Sequence, residues 1–152
     1  MMLEIARLGG EKAPVSLTTV SGHSRLSRGY LEQLALALKN RGLLRAVCGK
    51  HGGYRLARRP DEITIGQIIE AAMGPVNIVE CVGDPLTCLR SEYCECRPVY
   101  VLMNRRISEV LHGFTLAQML DPRWVCSMNR NMAASAEAGR PPELQKAADR
   151  EG

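Results

Sequence analysis

The sequence predicts a mainly α-helical fold with one small β-hairpin, arranged as a winged helix-turn-helix with a long C-terminal helix. Three observations support this prediction. Apolar residues recur at helical spacing through most of the first 120 residues, and two short β-like runs flank a glycine-rich loop at residues 48–53. Aromatic residues make up only 4% of the chain, so the core must be aliphatic. The 152 residues suffice for one domain with a short arm and a tail.

Two short helices are predicted first. Residues 1–8 are mostly apolar and are followed by two glycines that end the helix. Since no capping residue precedes them, we interpret them as the end of a longer helix. The second helix covers residues 15–22, with Ser16 as its N-cap. The turn that follows has Arg25 where glycine is common, and a left-handed Arg25 would cost on the order of 1 kcal/mol.

A third helix is predicted after its N-cap candidate Ser27, and it ends at Gly42 behind cations in its last turn. Its apolar residues lie at positions i, i+3, i+4 and i+7, which is one face of a helix: Leu31, Leu34, Ala35 and Leu38. Residues 43–47 and 54–57 then predict two strands, joined by a loop whose glycines permit positive φ.

The rest of the chain predicts further helices. Residues 63–73 form one that opens near Thr64. Pro98 begins a long amphipathic helix that reaches residue 114, and residues 115–120 add one or two turns. From residue 121 to the end the sequence is rich in Ala, Glu, Arg and Pro without a clear apolar stripe, and we interpret it as a mobile tail.

The strongest functional signal is the charge of residues 23–59. This segment contains nine Lys or Arg and one acid, a net charge of +8, in a chain whose total is +4. Such a local excess is typical of a surface that meets phosphates. The alternative is a solvated basic face, and the coincidence of the charge with a helix–hairpin unit favours DNA binding over it.

The geometry of a helix followed by a hairpin suits duplex DNA. A helix about 10–12 Å across fits the major groove, and a hairpin can lie on the neighbouring minor groove or backbone. Arg can pair with guanine, Gln with adenine and Glu with cytosine, while cations on the hairpin would hold phosphates. The candidate DNA-binding residues are Ser27, Arg28, Tyr30, Glu32 and Gln33 on the helix and Lys50, His51 and Arg55 on the hairpin.

Four cysteines fall within residues 81–96, with spacers that suit a metal centre held by a flexible loop. Thiolates select zinc or iron–sulfur clusters, and the absence of paired C-x2-C knuckles favours an iron–sulfur cluster over zinc. A thiol switch such as a Cys81–Cys94 disulfide is the alternative, while Cys48 and Cys126 are interpreted as lone thiols. The candidate ligands are Cys81, Cys88, Cys94 and Cys96, of which the last two are so close that one could be a spare thiol.

The long amphipathic helix that begins at Pro98 is relevant to whether the chain forms a homodimer. Its apolar face could pack on the preceding domain or against a second copy of the chain, and the shortage of core aromatics favours the second copy. A two-fold homodimer would match a palindromic operator.

No nucleophile–base pair, phosphate loop or carboxylate pair indicates an enzyme. No apolar run predicts a membrane span and no signal peptide is visible, so a cytoplasmic location is expected.

Taken together, these segments resemble the Rrf-type winged-helix transcriptional regulators. The likeness lies in residues 3–17, in YLEQL at residues 30–34 followed by GGYRLA at residues 52–57, in the spacing of three cysteines and in residues 106–120. It covers roughly the first four-fifths of the chain and leaves out the tail.

The resemblance implies a homodimeric regulator, usually a repressor, with Glu32 and Gln33 on the base-reading helix. It also implies that Cys81, Cys88 and Cys94 ligate an iron–sulfur cluster, with [2Fe–2S] preferred over [4Fe–4S], which senses iron–sulfur status, oxidants or nitric oxide. The fourth ligand is open, because Arg97 stands where some members have a histidine. Cys48 and His51 also depart from the family's wing, which usually has an arginine and a glycine there.

We therefore predict four parts: a winged helix-turn-helix DNA-binding domain over residues 1–75, a cysteine-rich sensor loop over 76–97, a dimerisation helix over 98–120 and a mobile tail over 121–152. In this hypothesis the cluster or the cysteine redox state changes the spacing of the two reading helices, and with it the affinity for the operator. The competing hypothesis is a metal-binding or thiol-switch interaction module that does not read DNA.

Overall fold

A computed structural model of the chain describes residues 1–138. These residues fall into two compact units, the first over residues 1–120 and the second beginning at residue 121. The first unit is helical with one two-stranded antiparallel sheet, which confirms the predicted fold class. Its elements are α1 (Met2–Leu8), α2 (Leu17–Ser24), α3 (Arg28–Asn40), β1 (Leu44–Val47), β2 (Gly53–Leu56), α4 (Ile65–Met73), α5 (Glu80–Gly83), α6 (Arg97–Gly113) and α7 (Leu116–Leu120), with short 3₁₀ turns at Pro60–Glu62, Pro85–Thr87 and Ser91–Tyr93.

The predicted N-cap Ser16 is confirmed, because its Oγ accepts a hydrogen bond from Thr19 N of the first turn at 3.1 Å. Thr64, near which a helix was predicted to open, is also an N-cap. Its Oγ1 accepts from Gln67 N at 3.2 Å, and Thr64 N donates to Gln67 Oε1 at 3.2 Å. These local bonds explain why the helix starts were visible in the sequence.

The turn between α2 and α3 is closed by Arg25 in the left-handed conformation, with φ 56° and ψ 20°. Within residues 1–138, Arg25 is the one non-glycine residue with positive φ. Its N–H donates to Ser21 O at 3.0 Å, and Ser21 Oγ donates to Leu26 O at 2.7 Å. α2 therefore extends two residues past its predicted end, and the turn keeps its hydrogen bonds although it lacks glycine.

The strain at this turn gives a stability prediction. Arg25→Gly should raise the free energy of unfolding by about 0.5–1 kcal/mol, because relief of about 1–2 kcal/mol of left-handed strain exceeds the gain in unfolded-state entropy. Urea unfolding measures the change. Arg25→Ala is the control, since it removes the same charge but keeps Cβ and should bring no gain. Equal stability of the glycine and alanine variants would contradict the strain at Arg25.

The hairpin lies within one residue of its predicted bounds. β1 and β2 pair with Leu44 opposite Leu56 and Val47 opposite Gly53. A contact that the sequence did not predict joins the hairpin to the chain before α2, where Val15 and Tyr54 exchange two backbone hydrogen bonds of 2.9 Å. A Cβ on Gly53 would lie 2.4 Å from Val15 O, so this close approach needs glycine.

The core of the first unit is aliphatic, as predicted. On α3 the buried residues are Leu31, Ala35 and Leu38, whereas Leu34 of the predicted stripe is only half-buried. The largest fully buried side chains are Ile5, Val20, Leu31, Leu43, Leu44, Ile63 and Leu116. They come from α1, α2, α3, β1 and the residue before it, the segment before α4, and α7, so the core lies inside the winged domain and α7 contributes to it.

α6 and α7 are two helices with a break between them. After α6 the chain turns back, so that Ile65 N donates to Phe114 O at 2.9 Å and Leu116 N donates to Ile63 O at 2.8 Å. These bonds hold the end of α6 against the start of α4. The short α7 then buries Leu116 in the core, while α6 buries none of its own residues fully.

The second unit begins with α8 (Pro122–Ala138). The interpretation of the whole of residues 121–152 as a mobile tail is therefore wrong for residues 122–138, and residues 139–152 lie outside the described part. Asp121 Oδ1 accepts from Arg123 N at 2.9 Å, and Pro122 occupies the first turn. This Asp-Pro start is a local helix signal that the composition argument overlooked.

Candidate DNA-binding surface and cysteine loop

The five candidate residues at the start of α3 are all exposed and lie within its N-cap and first two turns: Ser27, Arg28, Tyr30, Glu32 and Gln33. The same helix buries Leu31 and Ala35 on its other side. α3 therefore presents polar side chains outward while its apolar face fixes its position on the core. This is the geometry that a helix needs to enter a groove of DNA.

Three of these side chains form hydrogen bonds within the chain itself. Arg28 Nε donates to Glu32 Oε1 at 3.0 Å, one turn apart, and Ser27 Oγ caps the helix by accepting from Tyr30 N at 3.3 Å. In contrast, no side-chain hydrogen bond of Gln33 lies within the described residues. Gln33 is thus the candidate whose amide is free to meet a base edge.

The three candidate DNA-binding residues of the hairpin differ in exposure and in their contacts. Lys50 and His51 are exposed in the loop between β1 and β2. Arg55 is half-buried, its Nη1 donates to Glu11 O at 3.3 Å, and its Nε is buried without a partner in the described chain. Arg55 therefore ties the hairpin to the segment after α1, whereas Arg45, its exposed cross-strand neighbour, is a surface cation that the sequence did not single out as a contact.

The cations of the basic segment divide into paired and unpaired groups. Arg59 Nη2 lies 2.7 Å from Asp61 Oδ2, and this hydrogen bond raises the pKa of the Arg59 guanidinium. Arg58 Nη2 donates to Gln67 Oε1 at 3.3 Å. Among residues 1–138 the cations without a salt bridge in this segment include Lys39, Arg41, Arg45 and Lys50. Their unpaired charge is available to phosphates.

The cysteines lie in a loop made of α5 and two 3₁₀ turns. Cys81, Cys88 and Cys94 are half-buried, and Cys96, just before α6, is exposed. All are free thiols. Within the part of the chain that the structure describes, no three His, Cys, Asp or Glu side chains lie close enough together to hold one metal ion. The structure therefore does not bring the four predicted ligands around one centre.

The cysteine loop is tethered to α6 at two points. Ile78 N donates to Asn104 Oδ1 at 3.0 Å, and Arg97 Nε donates to Cys81 O at 3.4 Å. Both tethers attach near the start of the loop, and beyond them the loop packs little apolar surface, since Leu86 and Leu89 are exposed. A segment with few apolar contacts has low local stability and can rearrange.

The donor chemistry of this loop fits an iron–sulfur group, although the thiols are not gathered in this structure. Three half-buried thiols supply soft ligands. Ser91, between Cys88 and Cys94, is buried and its Oγ has no hydrogen-bond partner in the described chain. Sequence reasoning missed Ser91, because the burial of a loop serine has no periodic signal.

The junction between α4 and α6 is a close contact around His112. The His112 Nε2 lies 3.6 Å from Glu70 Oε1, and its Nδ1 lies 3.0 Å from Ser108 O. Gly66 is buried beneath the ring, and a Cβ there would lie 2.5 Å from ring atoms. His112 is exposed, as interpreted from the sequence, and its ring also links the winged domain to α6.

α6 carries a partly exposed apolar surface. Val99, Leu102, Met103 and Val110 are each around half exposed. On the same helix, Glu109 accepts hydrogen bonds of 2.9 Å from Arg105 and Arg106, which lower the pKa of its carboxyl. In the described residues no helix has the length and the apolar character required to cross a membrane.

The fold, together with the exposed polar face of α3 and the basic segment, defines a class of protein: a winged helix-turn-helix protein that binds DNA. Residues 1–122 match the Rrf2 family, described as iron-dependent transcriptional regulators, and the chain belongs to that family. This confirms the resemblance found in the sequence. The chain is a transcriptional regulator, and its relatives are regulators too, not enzymes.

Two curated relatives and one solved structure illustrate the likeness. The transcriptional regulator CymR of Bacillus subtilis is 36% identical over 78% of this chain and 80% of its own. The regulator IscR of Aliivibrio salmonicida is 35% identical over 78% of this chain and 70% of its own. The structure of CymR, the global cysteine regulator of B. subtilis, matches with a TM-score of 0.61, covering 78% of this chain and 86% of that one.

Proposed function

We propose that this regulator binds a two-fold DNA operator as a homodimer, acts as a repressor, and changes its operator affinity with the state of the cysteine loop. The observation that carries the proposal is the position of the loop. It is tethered to α6 through Asn104 and Arg97, and α6 packs on α4 of the winged domain through His112. A rearrangement of the cysteine loop would therefore be transmitted through α6 and α4 to the winged domain that contains the reading helix α3.

Dimerisation through α6 is supported by its exposed apolar side chains. A helix that covers none of its apolar residues fully within its own chain gains by pairing with a second copy. Two copies related by a two-fold axis would present two α3 helices about one DNA turn apart, roughly 34 Å. A small change in this separation would change operator affinity strongly.

The proposed DNA contacts divide by role. Gln33, Glu32 and Arg28 on α3 would read base edges, with Tyr30 and Ser27 beside them. Lys50 and His51 would contact the backbone or the minor groove from the hairpin loop. Arg55 is proposed to act mainly by holding the hairpin against the segment after α1, because it already donates to Glu11 O.

An iron–sulfur cluster would be held by Cys81, Cys88 and Cys94, with Cys96 as the candidate fourth ligand and [2Fe–2S] preferred over [4Fe–4S]. Such a cluster supplies one-electron redox chemistry and reacts with oxidants. The chain's own part is to bring three thiols together, which requires the exposed residues of the loop to move. The polar tethers at Arg97 and Asn104 would then transmit that movement to α6.

The test is anaerobic reconstitution with ferrous iron and sulfide, followed by iron and sulfide analysis and a visible spectrum. We expect charge-transfer bands in the wild type that vanish in Cys88→Ala. Cys126→Ala is the matched control, because Cys126 is an exposed thiol on α8 and its loss should leave the bands unchanged. Operator affinity of apo and loaded protein at one salt concentration then tests the switch, and equal affinities would refute it.

A second candidate is a thiol switch without metal. It is favoured by one observation, that no three potential ligands are gathered in the described residues while six thiols are free. In that case reconstituted protein stays colourless. Mild oxidation then changes operator affinity in the wild type, and the change is lost in Cys81→Ala or Cys94→Ala.

A further inference from the structure

A small polar cavity of about 180 Å³ lies where the end of α3 meets α4. Its lining comes from the C-cap of α3, the residue before β1, the segment after β2 and α4: Arg41, Leu43, Arg58, Gln67, Glu70 and Ala71. We call it the α3–α4 cavity. None of these residues belongs to the candidate DNA-binding residues or to the cysteine loop, so the proposed switch leaves the cavity without a role.

The α3–α4 cavity is lined by opposite charges that do not pair with each other. Neither Arg41 nor Arg58 forms a salt bridge within residues 1–138. In the same part of the chain the Glu70 carboxylate pairs with the imidazole of His112 at 3.6 Å, and that ring is charged only when protonated. Opposite charges that line one cavity without meeting leave room between them for a ligand that carries both signs.

Arg58 has an arrangement that is unusual for a structural arginine. Its side chain is half-buried, and its Nη2 donates to the neutral Gln67 Oε1 at 3.3 Å. The next residue, Arg59, is exposed and nevertheless pairs with Asp61 at 2.7 Å. Burial energetics favour the reverse, because a charge that has lost water depends more on an opposite charge than an exposed one does. The guanidinium of Arg58 therefore has unused capacity for an anion.

The fold holds these groups in place. Gln67 Oε1 also accepts from Thr64 N at 3.2 Å in the cap of α4, so it fixes one branch of the Arg58 guanidinium. Leu43 is buried and lines the cavity together with Ala71. Charged groups that are already positioned beside a small apolar wall lose little side-chain entropy when a ligand binds.

Size and charge limit the ligand. The 180 Å³ of the cavity lies below the roughly 300–1,000 Å³ of drug-sized sites and is about six times the roughly 30 Å³ share of one water molecule. Guanidinium groups bind a carboxylate through charge-assisted hydrogen bonds, and a carboxylate binds an ammonium group in the same way. A free α-amino acid carries both groups on one carbon atom.

We propose that the α3–α4 cavity binds a small free α-amino acid. Its carboxylate accepts hydrogen bonds from Arg41 and Arg58, and its ammonium group donates to Glu70. This inference goes beyond the proposed cysteine-loop switch and does not depend on it.

The site also acts on α6 through Glu70. The same carboxylate lies 3.6 Å from His112 across the junction between α4 and α6. An ammonium group bonded to Glu70 competes with His112, so the bound amino acid weakens a contact between the winged domain and α6. By linkage, the amino acid and the operator then change each other's affinity by the same factor.

The experiment is a titration of the full-length, metal-free protein with glycine, L-alanine and L-serine, followed by nuclear magnetic resonance of the backbone amides. We expect saturable shifts centred on residues 41–43, 58 and 67–71. Propionate lacks the ammonium group and L-alaninamide lacks the carboxylate. Each should bind about tenfold or more weakly than L-alanine, because each leaves a charged group of the site unpaired. Operator affinity should differ between the free and the saturated protein.

Arg58→Gln should weaken L-alanine binding about tenfold or more. Arg59→Gln is the matched control, since it removes the same charge at the next residue, outside the cavity, and should leave binding unchanged. Arg41→Gln should weaken binding as Arg58→Gln does. It keeps the test available if Arg58→Gln does not fold, because Arg41 is exposed and forms no salt bridge in the described chain.

The contrary outcomes are distinct. Absence of saturable shifts with all three amino acids overturns the inference. Equal losses in Arg58→Gln and Arg59→Gln also overturn it, since they would show a general effect of charge. Propionate that binds as tightly as L-alanine overturns the role of Glu70, and operator affinity that does not respond to a bound amino acid overturns the link to α6. The cysteine-loop switch is tested separately by iron and sulfide uptake, so its failure and the failure of this inference are distinguishable.

Discussion

Leu31→Ala is expected to lower the free energy of unfolding by about 2–5 kcal/mol, the largest stability effect of a single substitution on α3. Leu31 is fully buried and packs in the core formed by α1, α2, β1 and α7. Truncation removes apolar contacts and leaves a cavity, because the residues around it come from several elements and cannot collapse together. Urea unfolding followed by circular dichroism measures the loss.

Leu36→Ala is the control on the same helix. Leu36 is 57% exposed, so the same chemical change should alter stability by about 0.5 kcal/mol or less. The comparison separates burial from helix propensity, which is identical in both variants. Equal effects would mean that α3 is rotated relative to this structure. Such a rotation would also affect DNA binding, since the face of α3 opposite Leu31 is the one proposed to enter DNA.

Gln33→Ala is expected to weaken operator binding by about 1–3 kcal/mol, roughly five- to 150-fold, and to relax the preference for one base pair. Gln33 is exposed at the start of α3 with no side-chain hydrogen bond in the described residues, so its amide does not have to break a bond within the chain to reach a base. Fluorescence anisotropy with the operator and with single-base variants measures both effects. Stability should be unaffected.

Lys50→Ala is the matched comparison for phosphate contact. Lys50 is exposed in the hairpin loop and forms no salt bridge in the described chain. Its loss should weaken binding to operator and to unrelated duplex alike, and should reduce the slope of log affinity against log salt by about one. A Gln33→Ala variant that lost affinity equally on every duplex would show that Gln33 does not read bases. The reading helix would then have to be sought elsewhere.

The helix caps show which features of the fold could be predicted from neighbouring residues alone. Ser16 and Ser27 were predicted as N-caps and make the expected bonds, and the helix predicted to open near Thr64 is capped by Thr64, because a cap is formed within four consecutive residues. The sequence showed that Arg25 lies where this turn commonly has glycine, and the structure gives Arg25 the left-handed conformation despite its cost. α8 was missed although Asp121 and Pro122 form an equally local start, because the segment was judged by its composition and the lack of a clear apolar stripe, and this start was overlooked.

The exposure of the candidate DNA-binding residues was easier to predict on the helix than on the hairpin. Exposure along α3 follows from a period of 3.6 residues, so the polar side of the helix was visible in the sequence. On the hairpin, alternation alone does not say which cation reaches another part of the chain. Arg55 turned out to contact Glu11 O, 44 residues away, and Arg45 opposite it is the exposed partner.

Residues within a few positions of one another were enough to predict most helices and both strands of the first unit, two of the caps, the aliphatic core and the basic segment. The tertiary structure was needed to show which distant groups meet. The pairing of Val15 with Tyr54, the seating of His112 over Gly66 and the burial of Ser91 beside exposed apolar neighbours have no periodic signal. Each depends on the shape of the whole first unit, since chain segments far apart in sequence must fold before these contacts exist.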